Sequence, residues 1–449
     1  MKKWFIPVLV LIVIVVLFFI MKPRFGRQIY QKAELLYDSA QFSQAVDKYS
    51  SAIWFDNDVS EYYTGRALAY DSIGNYNRAI SDYSKAIKLD SSRHQLYYFR
   101  GLTYENKNEI DSALSDFATA IRLKKDFKMG YYRKGFLELR EKEYQKAIKD
   151  FSKVIDLDST FADAYFKRGA AYRETGEKQK AISDYSKALN LGMKNLDVYQ
   201  QRVKARAAMN DYRGAIEDYS RIIEMTGGNA KLYYQKGYLH YLLKDFKQAI
   251  KDFTNCLEFD AEHRDASYYR AHSYAQTKQY AEAIEDFRKV STQDPDNIKV
   301  WYNLGLSELH AGKFDAAIKD LNKTINLDKN HKKANLMLGL AYANKGEIQK
   351  SIDYFSDVIR LDPAYSDAYY YRGKSKALQG KHEAAIKDYA ASIKYDSTYA
   401  RAFYDRGISK INLNQFNSGC QDFYKALDLG FEKAKEMIIT YCKNHPKKE

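Results

Sequence analysis

Apolar residues recur along the chain with a fixed period. The stretch "AISDYSKAIKLD", which begins at Ala79, returns as "AIKDFSKVIDLD" at 147 and as "AIKDYAASIKYD" at 385. Within the first copy, Ala79, Tyr83 and Ile87 follow one another four residues apart, which places them on one face of an α-helix. A helix this short cannot bury its apolar face alone, so the pattern predicts a stack of repeated helices.

Three positions define the repeat. Alanine dominates the first, from Ala45 to Gly419, and an aromatic residue usually follows four residues later, from Tyr49 to Phe423. A small residue precedes the alanine by twelve residues and is most often glycine: Gly101, Gly135, Gly169, Gly237, Gly305, Gly339, Gly373 and Gly407. Because the spacing holds without insertion or deletion, we predict twelve units over 26–433, each of the same length as the unit 60–93.

Each unit is predicted to form two antiparallel helices that turn at the position of Gly74. Arg66 lies eight residues before Gly74 and Asp82 eight residues after it, so the two side chains are expected to face each other. The couple recurs as Arg100–Asp116, Lys134–Asp150, Arg168–Asp184, Arg202–Asp218, Lys236–Asp252, Arg270–Asp286, Arg372–Asp388 and Arg406–Asp422. We interpret the couples as structural ion pairs, worth ~0–1 kcal/mol each if exposed, rather than as a charged binding row. Leu304, which retains Asp320, is a partial exception.

The repeat resembles that of the tetratricopeptide repeat (TPR) family. Gly101, Ala113, Phe117 and Ala120 carry the resemblance, which extends over residues 26–433. It implies an all-α fold, a right-handed α-α superhelical solenoid of helix hairpins in which the first helix of each hairpin lines a concave groove. Residues 434–449 are expected to form a C-terminal capping helix and a basic tail.

The N-terminus predicts a single membrane-spanning helix. Residues 4–21 carry no charge over 18 positions, which corresponds to ~27 Å of helix. A cleaved signal peptide is the alternative, although no cleavage site with small residues follows. Pro23 and Gly26 are expected to break this helix, so that residues 1–25 form an anchor with a short juxtamembrane linker. The chain is thus expected to be a membrane-anchored TPR protein of bacterial type.

Membrane orientation stays open at the level of sequence. Basic residues flank the uncharged stretch on both sides, with Lys2 and Lys3 before it and Lys22 and Arg24 after it. The charge of the following segment would keep the body in the cytoplasm, whereas long domains translocate largely regardless of charge. We adopt the second interpretation as the expectation, which places the body on the extracytoplasmic, periplasmic side.

The groove implied by the resemblance supplies the candidate binding residues. On the first helices, the column that contains Thr64 is aromatic in most units, and rings of this kind suit protein or peptide partners. The candidate partner-binding residues are Tyr98, Tyr132, Phe166, Tyr234, Tyr268, Tyr302, Tyr370 and Tyr404. The alternative is that these rings pack partly inside the solenoid.

The distribution of charge argues against nucleic acid as a partner. The net charge is +14, but a nucleic-acid site would gather basic residues along one path. The inner positions are instead expected to be acidic in the first units, at Glu34, Asp38, Glu61, Asp71 and Glu105. Those of the last six units are expected to be mostly basic, at Lys231, Lys299, Lys333, Lys374 and Arg401.

No motif for catalysis, a cofactor or a metal site emerges, so we expect no enzymatic activity. His272 and His310 occupy inner columns of adjacent units, which is a weak basis for a metal or acid–base site. Three cysteines exclude a disulfide framework,. Cys256 and Cys420 are expected to be buried small apolar residues, and a pairing of Cys420 with Cys442 is left open.

The sequence therefore predicts a non-catalytic, membrane-tethered scaffold that binds a protein partner. The alternative is a structural spacer or a self-associating assembly factor that uses the convex face. We also predict that the stack is softest over 162–229, because Lys178, Val203 and Arg206 depart from the repeat pattern there.

Overall fold

The computed structural model describes residues 5–443 and Lys447, and within this part of the chain every regular element is an α-helix. The first twelve helices are α1 (Phe5–Asp38), α2 (Phe42–Phe55), α3 (Ser60–Ser72), α4 (Tyr76–Leu89), α5 (His94–Asn106), α6 (Ile110–Leu123), α7 (Lys128–Arg140), α8 (Tyr144–Leu157), α9 (Ala162–Glu174), α10 (Lys178–Asn190), α11 (Leu196–Ala207) and α12 (Tyr212–Thr226). The remainder are α13 (Ala230–Leu242), α14 (Phe246–Phe259), α15 (Arg264–Gln276), α16 (Tyr280–Gln293), α17 (Ile298–His310), α18 (Phe314–Leu327), α19 (Lys332–Lys345), α20 (Ile348–Leu361), α21 (Ser366–Leu378), α22 (His382–Tyr395), α23 (Ala400–Asn412), α24 (Phe416–Asp428) and α25 (Ala434–Tyr441).

Consecutive helices pair as hairpins, as in α3 with α4 and α21 with α22. The residue at the hairpin turn adopts a positive φ at the same position of each repeat, from Ala40 (57°) through Gly74 (74°) to Asn414 (58°). This left-handed conformation ends the first helix and reverses the chain. The predicted all-α solenoid of hairpins is confirmed.

The chain forms two compact units, Met1–Ile222 and Ile223–Glu449. Within each unit, the second helix of one hairpin packs against the first helix of the next, as α4 does against α5 and α16 against α17. The core of a hairpin is an aromatic ring held beneath a small residue. Phe117 is fully buried, and a Cβ added at Gly101 would lie 2.8 Å from its ring.

The predicted ion pairs form, and they are buried. Arg66 donates from Nε and Nη2 to the two oxygens of Asp82, at 2.7 and 2.9 Å. In all nine predicted couples the aspartate side chain is at most 9% exposed. Removing either partner would leave a buried charge uncompensated. Breaking one of these pairs should therefore cost more stability than breaking the exposed pairs considered from sequence.

Most of the arginines also reach back to the preceding hairpin. Arg66 Nη1 donates to Ser50 Oγ at 3.0 Å, and Ser50 lies on α2. The same contact joins Arg100 to Ser84, Arg168 to Ser152, Arg202 to Ser186, Arg270 to Thr254 and Arg372 to Ser356. Each of these arginines therefore ties three helices together, which the pairwise interpretation missed.

The N-terminal helix α1 is continuous, so the expected break at Pro23 and Gly26 does not occur. Pro23 lies inside the helix, where it removes one backbone donor and its ring crowds the preceding turn. Gly26 is buried, and a Cβ there would lie 3.3 Å from Phe55 Cβ and 3.4 Å from the carbonyl oxygen of Ala52. Gly26 therefore serves close packing on α2 instead of ending the helix.

The segment Leu9–Asp38 of α1 contains a stretch that is long and apolar enough to cross a membrane. A signal sequence would meet the same criteria. Trp4, the first residue of the predicted span, lies outside the described residues.

The C-terminal helix α25 covers the last hairpin. Its Met437 and Ile438 pack against a cluster that includes Phe423. A disulfide joins Cys420 on α24 to Cys442, which resolves the pairing left open above. Cys256 is fully buried, as predicted. Residues 444–446 and 448–449 of the predicted basic tail lie outside the described residues.

Candidate partner-binding surface

The eight predicted aromatic residues lie on first helices, and each is partly covered. Tyr370 is buried, at 4% exposure, and the other seven are half-buried. Most of these rings face the core aromatic residue of their own hairpin. Part of each such ring therefore packs inside its hairpin, which was the alternative considered from sequence.

In the compact unit Met1–Ile222, these rings also contact the loop that leads to the next hairpin. Tyr98 lies 5.8 Å from Phe117 and 5.1 Å from Phe127, measured between ring centroids. Tyr132 packs on Phe151 and Phe161 in the same way, at 6.1 and 5.2 Å. Phe166 packs on Tyr185 at 5.9 Å. The Tyr132 hydroxyl donates to Asp163, and burial raises the pKa of Tyr132.

In the second unit, the same geometry recurs. Tyr234 stacks on His263 at 4.7 Å, and burial raises the pKa of its hydroxyl to about 12. Tyr268 lies 5.8 Å from Phe287, and Tyr302 lies 5.1 Å from His331. Further along the unit, Tyr370 packs on Tyr389 and Tyr404 packs on Phe423, at 6.0 and 5.8 Å.

A cavity of about 340 Å³ opens beside these rings in the second unit. Its lining combines aromatic, basic and acidic side chains from α15, α17 and neighbouring segments: Tyr241, Arg264, Asp265, Tyr268, Tyr269, His272, Val290, Asn297, Lys299 and Val300. Of the candidate residues, Tyr268 is the one that lines this cavity. The structure thus gathers one predicted ring with several that the column did not include.

The cavity borders a cluster of tyrosines on α13 and α15. Tyr269 lies 5.1 Å from Tyr238 and 5.0 Å from Tyr241, and Tyr238 lies 6.2 Å from Tyr234. Burial raises the pKa of Tyr269 to about 12. Tyr238 and Tyr241 lie four and seven residues after Tyr234, so helical spacing alone could have placed them on the same face.

Basic side chains on the first helices of the second unit are exposed. Lys231, Lys299, Lys333 and Arg401 recur in one column, and in the described part of the chain none of them has an acidic partner within 4.0 Å. The two acids of the same column are already engaged. Asp265 lies 3.6 Å from Arg264, and Asp367 accepts a hydrogen bond of 2.8 Å from the Tyr399 hydroxyl. The available charge along this column is therefore positive.

Most of the predicted inner acidic residues within Met1–Ile222 already have a hydrogen-bond or ion-pair partner. Glu34 accepts a hydrogen bond from Tyr49, and Asp71 accepts one of 2.7 Å from Thr103. Glu105 lies 3.7 Å from Arg133, and burial raises the pKa of both Asp71 and Glu105. The acidic row expected from sequence thus contributes internal hydrogen bonds and ion pairs.

His272 and His310 line a smaller cavity of about 130 Å³. Burial lowers the pKa of His272, and its Nδ1 lies 3.3 Å from the Tyr241 hydroxyl. His310 stacks on Tyr280 at 5.2 Å. Among the described residues, no group of three His, Cys, Asp or Glu side chains is placed to hold a metal ion.

Family models of the tetratricopeptide repeat match much of the sequence. The matches cover residues 60–93, 94–127, 135–176, 162–195, 230–263, 271–309, 302–365 and 336–400. No curated protein matches the chain.

Solved structures with similar folds include MamA, at 29% identity over 37% of this chain and 96% of MamA, with a TM-score of 0.35. YrrB, described as a TPR protein with an unusual peptide-binding site, is 23% identical over 43% of this chain and 99% of its own, with a TM-score of 0.38. A TPR protein from Parabacteroides merdae is 18% identical over 56% of this chain and 100% of its own, with a TM-score of 0.44.

Proposed function

Because this chain belongs to the tetratricopeptide repeat family, we propose that it is a non-catalytic scaffold that binds an extended segment of a partner protein. The binding surface is formed by the first helix of each hairpin in the compact unit Ile223–Glu449. The observation that carries this proposal is the combination of tyrosines around the 340 Å³ cavity with Lys299, which lines the same cavity and has no acidic partner within 4.0 Å among the described residues.

The chemistry of this surface defines the partner segment. Half-exposed tyrosines such as Tyr238 and Tyr268 offer large contact area at low entropic cost. Lys299 at the cavity and Lys333 on α19 are exposed cations that have no acidic partner within 4.0 Å among the described residues. The segment is therefore expected to carry apolar or aromatic side chains together with acidic ones. Of the sequence candidates, Tyr234, Tyr268 and Tyr302 are proposed as the main contacts.

The proposal includes a membrane tether through α1. The apolar stretch of this helix supports an anchor, and the disulfide between Cys420 and Cys442 supports an extracytoplasmic location for the body. Stable disulfides persist chiefly in oxidising compartments outside the cytoplasm. This agrees with the orientation adopted from sequence.

Charge reversal provides the test, because it spares the half-buried rings. Peptides are selected from a random library against the full chain in detergent, and their affinity is measured by fluorescence anisotropy. Lys299→Glu with Lys333→Glu should weaken selected acidic–aromatic peptides about tenfold, which corresponds to ~1.4 kcal/mol.

Lys251→Glu with Lys319→Glu is the matched control, since both lysines are exposed on second helices. It should change the affinity by less than about twofold. Equal weakening in both double variants would contradict the proposed surface. Oligomers in the absence of peptide, detected by light scattering, would instead favour self-association.

A further inference from the structure

The C-terminal end of α2 lies beside the first residues that follow the uncharged stretch of α1. Lys22 Nζ lies 5.7 Å from the centroid of the Trp54 ring, and Lys22 directly follows the uncharged stretch that ends at Met21. Three residues further along α1, the ring of Phe25 lies 6.1 Å from the ring of Phe55. Trp54 and Phe55 are themselves packed edge to face at 4.9 Å.

The packing of the first hairpin fixes this arrangement. Gly26 lies so close to Ala52 and Phe55 that α1 and α2 cannot separate here without losing buried contact. Because α1 continues through Pro23, no linker lies between the uncharged stretch and the hairpin. Helical rise is about 1.5 Å per residue, so Lys22 lies only about 1.5 Å beyond the end of that stretch. Trp54 is therefore held at the level where the uncharged stretch ends.

The side chains at this level are exposed and aromatic. Trp54 is 67% exposed and Phe25 is 43% exposed, although both are large apolar residues. Tryptophan with one apolar body and one polar N–H is the residue that membrane proteins concentrate at the bilayer interface. Lys22, Arg24 and Arg27 follow the uncharged stretch on α1, while Asp56 and Asp58 follow α2. The patch thus combines aromatic and charged side chains, a combination that suits the lipid headgroup layer.

We propose that Trp54 and Phe25 lie in the lipid headgroup layer of the bilayer that α1 crosses, so that the first hairpin docks on the membrane surface. This inference rests on the membrane tether in the proposed function. Continuity with the uncharged stretch identifies the occupant of the patch as lipid, because any other partner would have to fit between the hairpin and the bilayer.

Depth-dependent quenching of Trp54 fluorescence tests the inference. The full chain with Trp4→Phe and Trp301→Phe keeps Trp54 as its single tryptophan. It is reconstituted into phosphatidylcholine vesicles containing phosphatidylglycerol, with bromine placed either near the ester carbonyls or near the chain ends. Shallow bromine should quench Trp54 several-fold more than deep bromine. The matched control, Trp4→Phe with Trp54→Phe, keeps Trp301 and measures the quenching that each lipid causes at a tryptophan outside the patch.

Flotation of the same vesicles separates the two levels of the proposal. If the chain floats with the vesicles but Trp54 is not quenched, the headgroup contact is overturned and the tether stands. If the intact chain does not float, both fall. If Trp54 is shielded without quenching and crosslinked dimers form, a second copy covers the patch and the lipid assignment is overturned.

Discussion

Arg288 on α16 lies 3.7 Å from Asp320 on α18 and supplies the cation that Leu304 does not. In the nine hairpins with a predicted couple, the basic residue comes from the first helix of the same hairpin, as Arg66 does for Asp82. Here it comes from the preceding hairpin, at the position that Ser50 occupies in the first hairpin. Arg288 also pairs with the fully buried Glu308. A cation therefore still lies beside Asp320, although the repeat pattern is broken at Leu304.

At about pH 8, where Glu308 and Asp320 are both ionised, Arg288→Ala should destabilise this hairpin by ~1–2 kcal/mol, because two buried carboxylates would lose their cation. The half-exposed guanidinium of Arg288 keeps the cost below that of a fully buried pair,. Hydrogen exchange of α17 and α18 is the measurement. Arg288→Ser with Leu304→Arg recreates the arrangement of Ser50, Arg66 and Asp82, and it should recover most of the protection. Failure of this double variant to recover would show that the exchange of positions is not equivalent.

The stability of the same hairpin should fall as pH rises. Burial and the nearby Asp320 raise the pKa of Glu308 from its ordinary value of 4.5 to about 7. The folded state therefore holds a proton that the unfolded state loses first, and the associated stability is lost between about pH 4.5 and about pH 7. Glu308→Gln should flatten this dependence and exceed the wild type in stability at about pH 8, on the order of 1 kcal/mol. Thermal melting across this range, with Glu285→Gln as an exposed control, checks the sign.

Glycines that contact the core rings should differ in how much stability an alanine substitution costs, according to the space beside each glycine. A Cβ at Gly339 would lie 2.4 Å from the Phe355 ring, whereas at Gly135 the nearest atom would lie 3.2 Å away, on Asp150. Gly339→Ala should cost ~1–3 kcal/mol through overpacking. Gly135→Ala should be close to neutral, because the gain in helix propensity of ~1 kcal/mol offsets a small shift. Comparable melting temperatures for the two variants would contradict the packing argument.

The C-terminal cap should depend on its disulfide. Cys420 and Cys442 are separated by 22 residues, a loop for which chain-entropy estimates give ~3 kcal/mol. Cys442→Ser should therefore loosen α25 and expose the Phe423 cluster, detected as faster hydrogen exchange in α24 and α25. Exchange in α13 to α15, in the same unit, serves as the internal reference and should not change. Equal protection of α25 with and without the disulfide would refute this dependence.

The predicted soft segment over 162–229 remains to be measured. Arg206, which departs from the repeat pattern, is paired with Asp218 at 2.9 Å and donates to the Gly214 carbonyl at 2.7 Å. This contact replaces the ring found at Tyr70 and Tyr104 in the pattern, so it offsets part of the expected weakness. Hydrogen exchange faster over 162–229 than in the hairpins on either side would support the prediction, and slower exchange would contradict it.

Much of the fold follows from the sequence because the repeat fixes its own register. Residues such as Ala79 and Tyr83 recur at helical spacing, and the couple of Arg66 and Asp82 indicates which helices face each other. The contact from Arg66 back to Ser50 escaped prediction, although serine recurs 16 residues before many of these arginines. Only the stacking of hairpins brings that column within reach.

The candidate surface was less predictable for a physical reason. A column of aromatic residues, such as Tyr98 and Tyr132, does not reveal how much of each ring the next loop covers. The continuity of α1 was also not predicted, because the local helix propensity at Pro23 and Gly26 favours a break. Close packing of Gly26 on α2 accounts for the helical conformation that the structure shows there.

The joint made by Arg66 has a consequence for how such a chain can change its length. Its partners lie 16 residues before and 16 residues after it, so the whole joint fits within the length of one repeat. Excising or duplicating residues 60–93 would present the next arginine with an equivalent serine and aspartate. Gain or loss of a complete module that carries this serine therefore preserves the junction, whereas a gain or loss of a few residues would disrupt it.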